Sequence, residues 1–348
     1  MNTKNGVTRL LAINFGGLGD EVLFLPTLQS IRRAHPEWHI TLLTEPRGRS
    51  IRDVTNLIDD GLTFDIKKRP LKPADYLQLL SLLRNGHFDV VLSSGASANV
   101  AMLLFLSGIR KRVGFGSNGL AKVLLTNPVE LNRKQHASAM YHDLVKGLGI
   151  NDSTSRPEVV VHEENVAKMR GLVGDTGAKR RVLLHPGMSQ LALQKGIIKT
   201  WSPENWADLI AKLLQRGDSQ VVLAGGPDDE ATIRDIMRLV GDGGPLMLNA
   251  YGKTASLRDL VALMELADVV VCVDSAPMHL AVGLGKRLVG LFGPTDPAKL
   301  LWPDPNFIAI RDQDMASKLG DQDVFATGTK SEGFIQISVE QVWARLAE

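Results

Sequence analysis

The sequence predicts an α/β protein built on two doubly wound parallel sheets, one in each half of the chain. Three observations lead there. Short β-branched or leucine-rich runs alternate with longer amphipathic runs from one end to the other, as strand–helix–strand units do. The best of the short runs, Val269–Val273, is apolar at every position, as in a strand covered by helices on both faces. The chain has 348 residues, and at roughly 100–200 residues per domain that length suggests two domains.

Taken in order, Thr8 to Asn14 reads as the first strand. Asp20 to Ala34 follows as a helix, with Val22, Leu25, Leu28 and Ile31 in steps of three. His39 to Thr44 is the next strand. Further strands are predicted at Val90–Leu92, Arg112–Gly114, Glu158–Val161, Val182–His185, Gln220–Ala224, Val269–Val273 and Arg287–Phe292. Helices are expected between them, including Pro203–Gln215, Asp228–Val240 and Ser256–Leu266. The polar, proline-bearing stretch Asn151 to Pro157 marks the boundary. This divides the chain into 1–155, 156–335 and a terminal segment 336–348, whose helix Val339–Leu346 is expected to pack back on the domain junction. Gln313 to Glu332 is polar and without period, and reads as a loop.

Composition narrows the function classes. The single cysteine, Cys272, lies in an apolar run and reads as a buried small hydrophobe. It permits no disulfide framework and no cysteine-based zinc site within the chain. The first seven residues lack the layout of a signal peptide, and no apolar run reaches the ~18 residues of a spanning helix. The cytoplasm is therefore the expected location. The formal charge of +2 hides an asymmetry: residues 1–160 carry 20 Lys+Arg against 14 Asp+Glu, and the remainder carries 20 against 24. A basic first half suits an anionic partner. No aromatic-rich basic motif accompanies that charge, so nucleic acid is not an expected partner.

The chemistry is expected at the strand ends, where open parallel sheets bind ligands. The first strand runs into Gly16-Gly17-Leu18-Gly19-Asp20. Gly16, Gly17 and Gly19 would let backbone approach a ligand closely. The G-G-x-G spacing fails the dinucleotide fingerprint, which makes a dehydrogenase a poor fit. Asp20 at a helix start has a structural reading as a capping or first-turn acid and a functional one as general base; the two are compatible.

The second half offers three loops at strand ends: His185-Pro186-Gly187-Met188-Ser189, Ala224-Gly225-Gly226-Pro227-Asp228, and Asp274-Ser275-Ala276-Pro277-Met278-His279. Free amides there can cradle a pyrophosphate. Ser275 or Asp274 as N-cap with Pro277 in the first turn is equally good helix-start chemistry. Lys199 precedes the helix start Ser202-Pro203, either as a surface lysine or as the cation that neutralises a leaving diphosphate.

Together these segments resemble glycosyltransferase family 9, the heptosyltransferase family. The N-terminal mark is the run from Ile13 through Asp20 to Pro26. The C-terminal marks are Asp274 through Ala281 and then Leu291-Phe292-Gly293-Pro294-Thr295-Asp296-Pro297. Tyr251-Gly252-Lys253-Thr254 adds a further recurring stretch. The resemblance implies the GT-B fold, two facing Rossmann-like domains, with the acceptor on the first and the nucleotide sugar on the second. It implies an inverting, metal-independent transferase without a cofactor, whose co-substrate is a nucleotide sugar such as ADP-heptose. The implied acceptor is an anionic lipopolysaccharide-core glycan or glycolipid, with peripheral contact at the inner face of the membrane. Carried over by position, Asp20 is the general base. Lys199 and His185, Gly187, Met188 and Ser189 hold the diphosphate. Gly225, Gly226, Thr254, Asp274, Ser275, Ala276 and His279 line the donor site. Ala276 replaces the family's usual glycine, Asn14 stands where a basic residue is common, and the Ser189–Lys199 link is longer than usual. Two rivals share the architecture: a sugar-nucleotide epimerase or hydrolase, and a binding protein that holds a nucleotide sugar without transferring it.

Overall fold

The predicted alternation folds into two parallel sheets, seen in a computed structural model that describes residues 6–68, 72–187, 199–319 and 333–347. The chain divides into two units, Met1–Glu158 and Val159–Glu348.

In the first unit, β1 (Arg9–Asn14) leads through α1 (Leu18–Ala34) to β2 (His39–Thr44) and β3 (Asp60–Thr63). There follow α2 (Pro73–Asn85), β4 (Val90–Ser93), α3 (Ala98–Leu106), β5 (Lys111–Phe115), α4 (Gly119–Leu124), β6 (Asn127–Val129) and α5 (Ala137–His142). The six strands lie in the order β3-β2-β1-β4-β5-β6, every pair parallel. Adjacent residues of β1 point to opposite faces, yet Leu10, Leu11, Ala12 and Ile13 are all buried. Both faces are therefore covered, which is why the strand reads as one apolar run. Leu11 and Ile13 pack with Leu79 and Leu83 of α2 and Ala101 and Leu104 of α3 on one side.

The second unit repeats the topology. Its elements are α6 (Glu163–Val173), β7 (Arg180–His185), α7 (Pro203–Arg216), β8 (Ser219–Leu223), α8 (Glu230–Val240), β9 (Met247–Asn249), α9 (Leu257–Glu265), β10 (Val269–Val273), α10 (Ala276–Leu284), β11 (Arg287–Phe292), α11 (Pro297–Leu300), β12 (Phe307–Arg311), α12 (Gln313–Leu319) and α13 (Val339–Ala347). The strand order β12-β11-β10-β7-β8-β9 is the first unit's order read from the other edge. Trp201, Trp206, Leu209, Ile210 and Leu213 anchor α7 on one face of this sheet.

Three differences separate the structure from the sequence reading. Glu158–Val161 is not a strand; it is an extended connector whose Val159 N–H donates to the Gly283 carbonyl of α10 at 3.4 Å. The outer strands β3, β6, β9 and β12 were not anticipated. Asp60–Thr63 and Asn127–Val129 are short and polar because an edge strand has a neighbour on one side only. The span expected as a loop at Gln313–Glu332 begins with the helix α12, and the rest of it, 320–332, lies outside the described residues. The terminal helix α13 packs on α7, β11 and β12 of the second unit, where Val342 and Leu346 enter the core.

Candidate active site

At the carboxyl end of β1 the chain turns through Phe15-Gly16-Gly17 into α1, and Asp20 occupies the third helical position. Its carboxylate is fixed at both oxygens. The Gly17 N–H donates to Oδ2 at 2.9 Å, which satisfies one orphan amide of the helix start. The Tyr141 hydroxyl donates to Oδ1 at 3.2 Å. Asn14 braces the turn, donating from Nδ2 to the Asp20 carbonyl at 3.3 Å and accepting from Ser94 Oγ at 2.5 Å. Gly16 has a definite cause: a Cβ there would sit 2.1 Å from Asp20 Cβ. The room this glycine provides is filled by Asp20 itself.

Tyr141 lies on α5, buried and packed edge-on against Phe24 at 5.8 Å between ring centroids. Burial, then the Asp20 charge, push its phenol well above the ordinary value, so it stays a protonated donor. Beside it, Glu21 is buried, and neither of its carboxyl oxygens has a hydrogen-bond partner. Burial first and the Asp20 charge second raise its pKa well above the usual carboxylate range.

In the second unit Lys199 and Asp274 meet at 2.6 Å. Asp274 follows β10 and is buried, whereas Lys199 keeps about a fifth of its side chain exposed, 22%. Burial alone would raise the Asp274 carboxyl, but Lys199, through charge and hydrogen bond, with help from Thr295 and His279, holds it below its ordinary value. The strand register explains the meeting: β10 lies beside β7, with Cys272 opposite His185. Thr200, next to Lys199, donates to the Pro186 carbonyl at 3.3 Å and accepts from the Ile335 N–H at 3.0 Å, and Trp201 is fully buried. The segment bearing Lys199 is thus pinned between the end of β7 and the core.

His185 ends β7, buried, with Nδ1 unpartnered. Burial lowers its pKa to about 4, so the ring is neutral. Gly187 is tight for the same kind of reason as Gly16: a Cβ would lie 2.0 Å from Asp229 Cγ. Asp229 also accepts the Gly226 N–H at 2.7 Å.

Ser275 is the N-cap of α10, but its hydroxyl donates to the Val273 carbonyl at 3.3 Å and does not cap the helix. Ala276 is the first helical residue, and His279 lies buried one turn on. None of Gly16, Gly17, Gly19, Gly187, Gly225 and Gly226 has a positive φ. Thr254 lies between the edge strand β9 and α9. Met188 and Ser189 lie outside the described residues.

Two site residues escaped the sequence reading. Tyr141 is 121 positions from Asp20, and no local pattern announces the pair. Asp229 had a signal: Gly225-Gly226-Pro227-Asp228-Asp229 repeats the Gly-Gly-x-x-Asp spacing of Gly16 to Asp20.

Two Rossmann-like units in one chain, each with its polar groups gathered at the carboxyl ends of the strands, define the GT-B class of transferase fold. A family model, Glycosyltransferase family 9 (heptosyltransferase), matches residues 76–324. The chain belongs to that family and is a glycosyltransferase. Lipopolysaccharide heptosyltransferase 3 of Escherichia coli (strain K12) is 28% identical over 293 residues, 80% of each chain. Photosynthetic NDH subunit of subcomplex B 1, chloroplastic, of Arabidopsis thaliana is 24% identical over 87% of this chain and 68% of its own. The solved structure of E. coli ADP-heptose lps heptosyltransferase II aligns with a TM-score of 0.75 at 19% identity, covering 98% of both chains. Among the described residues no helix is long and apolar enough to cross a membrane.

Proposed function

We propose that this glycosyltransferase moves heptose from ADP-heptose to a lipopolysaccharide-core or related anionic glycan, with inversion at the anomeric carbon and Asp20 as general base. The observation that carries the reading is the Asp20 carboxylate, half-buried at the end of the first sheet and held at both oxygens by Gly17 and Tyr141. An acid that only capped the helix would use the Gly17 contact and leave the other oxygen to solvent.

In the proposed step the acceptor hydroxyl gives its proton to Asp20 while its oxygen bonds to the anomeric carbon. The bond from that carbon to the diphosphate breaks, and the electron pair leaves with the diphosphate. Positive charge gathers on the sugar ring and negative charge on the leaving group. Lys199, already oriented by Asp274, is the cation assigned to the leaving diphosphate; amides at the ends of β7 and β8 and the start of α10 supply further donors. No metal takes part in this scheme, so transfer is expected to withstand a chelator. ADP-heptose and lipopolysaccharide are named for the relatives, and the basic first half supports an anionic acceptor.

The second reading, a binding protein without transfer, is favoured by one fact: a relative over most of this chain is named as a subunit of a photosynthetic complex. Incubation with a panel of nucleotide sugars and deacylated lipopolysaccharide cores separates the two. The proposal expects ADP release and glycosylated product with one donor–acceptor pair, and almost none from Asp20→Asn while donor binding survives. Donor binding without product across the panel supports the second reading.

A further inference from the structure

Behind Asp20, two more buried polar groups join α1 to α5. Ser30 lies about 15 Å further along α1 than Asp20, and His142 directly follows Tyr141 on α5. Both are buried, and Ser30 Oγ meets His142 Nε2 at 2.8 Å. Ser30 gives its own proton to Asp152 Oδ2 at 2.9 Å. A hydroxyl has one proton to give, so the Ser30 oxygen accepts from the Nε2–H of His142. Burial lowers the pKa of His142, so at neutral pH the ring is uncharged, with its proton on Nε2. This serine, histidine and aspartate do not form a nucleophile with its base. The carboxylate holds the serine and not the imidazole, and the hydroxyl is buried.

Asp152 belongs to a connector, residues 151–162, that forms neither helix nor strand. Its side chains are tied to α1 at Asp152, Ser155 and Glu158. Asp152 also accepts from Arg33 at 3.0 Å, the Ser155 hydroxyl donates to Gln29 Oε1 at 2.8 Å, and Gln29 Nε2 donates to Glu158 Oε2 at 3.4 Å. Glu158 ends the first unit. The chain's exit from that unit is thus fastened to the helix that bears Asp20. α1 and α5 are themselves joined twice, by Tyr141 and Asp20 at 3.2 Å and by His142 and Ser30 at 2.8 Å. The connector is fastened to the second joint. A satisfied buried polar network holds one arrangement of the elements it joins, because sliding them would leave its members unpaired away from water.

We propose that Ser30, His142 and Asp152 are positioning residues for the transfer: they fix α5 against α1 and so set the contact of the Tyr141 hydroxyl with Asp20. The proposal rests on the reading of Asp20 as the base and extends it to three residues that act through Tyr141.

The test combines amide hydrogen exchange across residues 151–158 with transfer from ADP-heptose to deacylated lipopolysaccharide core. Ser30→Ala and Asp152→Ala should each speed exchange in the connector. Each should lower kcat about three- to tenfold, as loss of one buried hydrogen bond does, and leave the KM for the donor unchanged. Ser30→Thr, which keeps the hydroxyl, and His142→Gln, whose amide can donate in place of Nε2–H, should retain most of kcat. In a Tyr141→Phe background Ser30→Ala and Asp152→Ala should change kcat by less than about twofold, because the contact they set is gone. A network that only stabilised the fold would lower kcat by the same factor with or without the Tyr141 hydroxyl, and that result overturns the proposal. Unchanged exchange in both variants overturns it too, as does wild-type kcat in a variant whose connector exchanges faster. Should Ser30→Ala fail to fold, Asp152→Ala carries the test, since the Asp152 side chain is 26% exposed. Asp20→Asn with wild-type kcat removes the base and the proposal with it. An inactive Asp20→Asn beside a loosened but fully active Asp152→Ala removes the network's role alone.

Discussion

The carboxyl end of β1 in the first unit and those of the neighbours β7 and β10 in the second lie at the centre of the same strand order, but they are furnished differently. Around β1 the ionisable groups are acids: Asp20, held by two donors, and Glu21, buried without a partner. Around β7 and β10 a carboxylate is matched to an ammonium, Asp274 with Lys199, and the nearby His185 is neutral. The first arrangement can take up a proton. The second holds a cation in place on a buried counter-charge, with part of it exposed. Under the proposed function, one fold would supply both halves of a displacement, a base for the attacking oxygen and a cation for the leaving group, because the strand ends position whatever residues the loops supply.

Removing the base should break the comparison on one side only and have the largest effect. Asp20→Asn keeps the shape and the Gly17 contact but cannot accept a proton. General-base catalysis contributes about 10²–10⁴-fold, so kcat for transfer should fall by that order while donor affinity, measured by calorimetry, stays unchanged. A variant that retained wild-type kcat would leave Asp20 as a helix-start acid alone.

Removing the cation tests the other side. Lys199→Met should lower kcat by about 10²–10³-fold, as the loss of one charge-stabilising donor does. It should also destabilise the second unit, because a buried carboxylate left unpaired costs about 3–5 kcal/mol. Adding Asp274→Asn should recover most of the stability but not the transfer. If the double variant recovered both, the pair would be a structural bridge and the contrast between the units would lose its chemical meaning.

How far the sequence could lead to these residues follows from the distance over which each is organised. The central strands were legible because helices on both faces demand uninterrupted apolar runs, as in Val269–Val273. Edge strands such as Asp60–Thr63 and Asn127–Val129 were not, since half their environment is solvent and their composition matches that of turns. Glu158–Val161 misled in the opposite sense: three adjacent valines look like a strand, but the Val159 N–H meets a helix carbonyl. Asp20 and Asp274 could be found because a helix start after a strand is a local pattern. Their pairings could not: Tyr141 had no local signal, and Lys199, though singled out in the sequence, meets Asp274 from 75 positions away while Tyr141 meets Asp20 from 121.

Tyr141 gives a sharper test of the first site. Tyr141→Phe deletes one hydrogen bond to Asp20 and keeps the ring packed on Phe24. A hydrogen bond to a charged group contributes about 1.5–3 kcal/mol, so kcat should fall about tenfold to a hundredfold. The KM for the donor should not move. A rise in donor KM with unchanged kcat would separate Tyr141 from the base.

The smallest effects come from the buried groups whose proton affinities the fold shifts in opposite directions, and they should appear as opposite slopes of stability against pH. His185 titrates at about 4 in the folded chain against an ordinary 6.5. The unfolded chain therefore binds the extra proton between those values, and stability present above about 6.5 is lost as the pH falls towards 4. The amount is on the order of 3 kcal/mol, and His185→Asn should flatten that limb of a plot of melting temperature against pH. Glu21 works the other way. Its folded value lies above the ordinary 4.5, so the folded chain keeps the proton longer. The stability it contributes is complete below 4.5 and is lost as the pH rises through the folded value. Glu21→Gln keeps the shape without the charge. It should raise the melting temperature at about pH 8, by about 2–4 °C for each kcal/mol relieved, and leave it unchanged at about pH 4, where Glu21 is protonated in both states. A variant that shifts the melting temperature equally at both ends of the range would place the cost in packing under Gly48, and the acid-rich end of β1 would then bear no charge strain of its own.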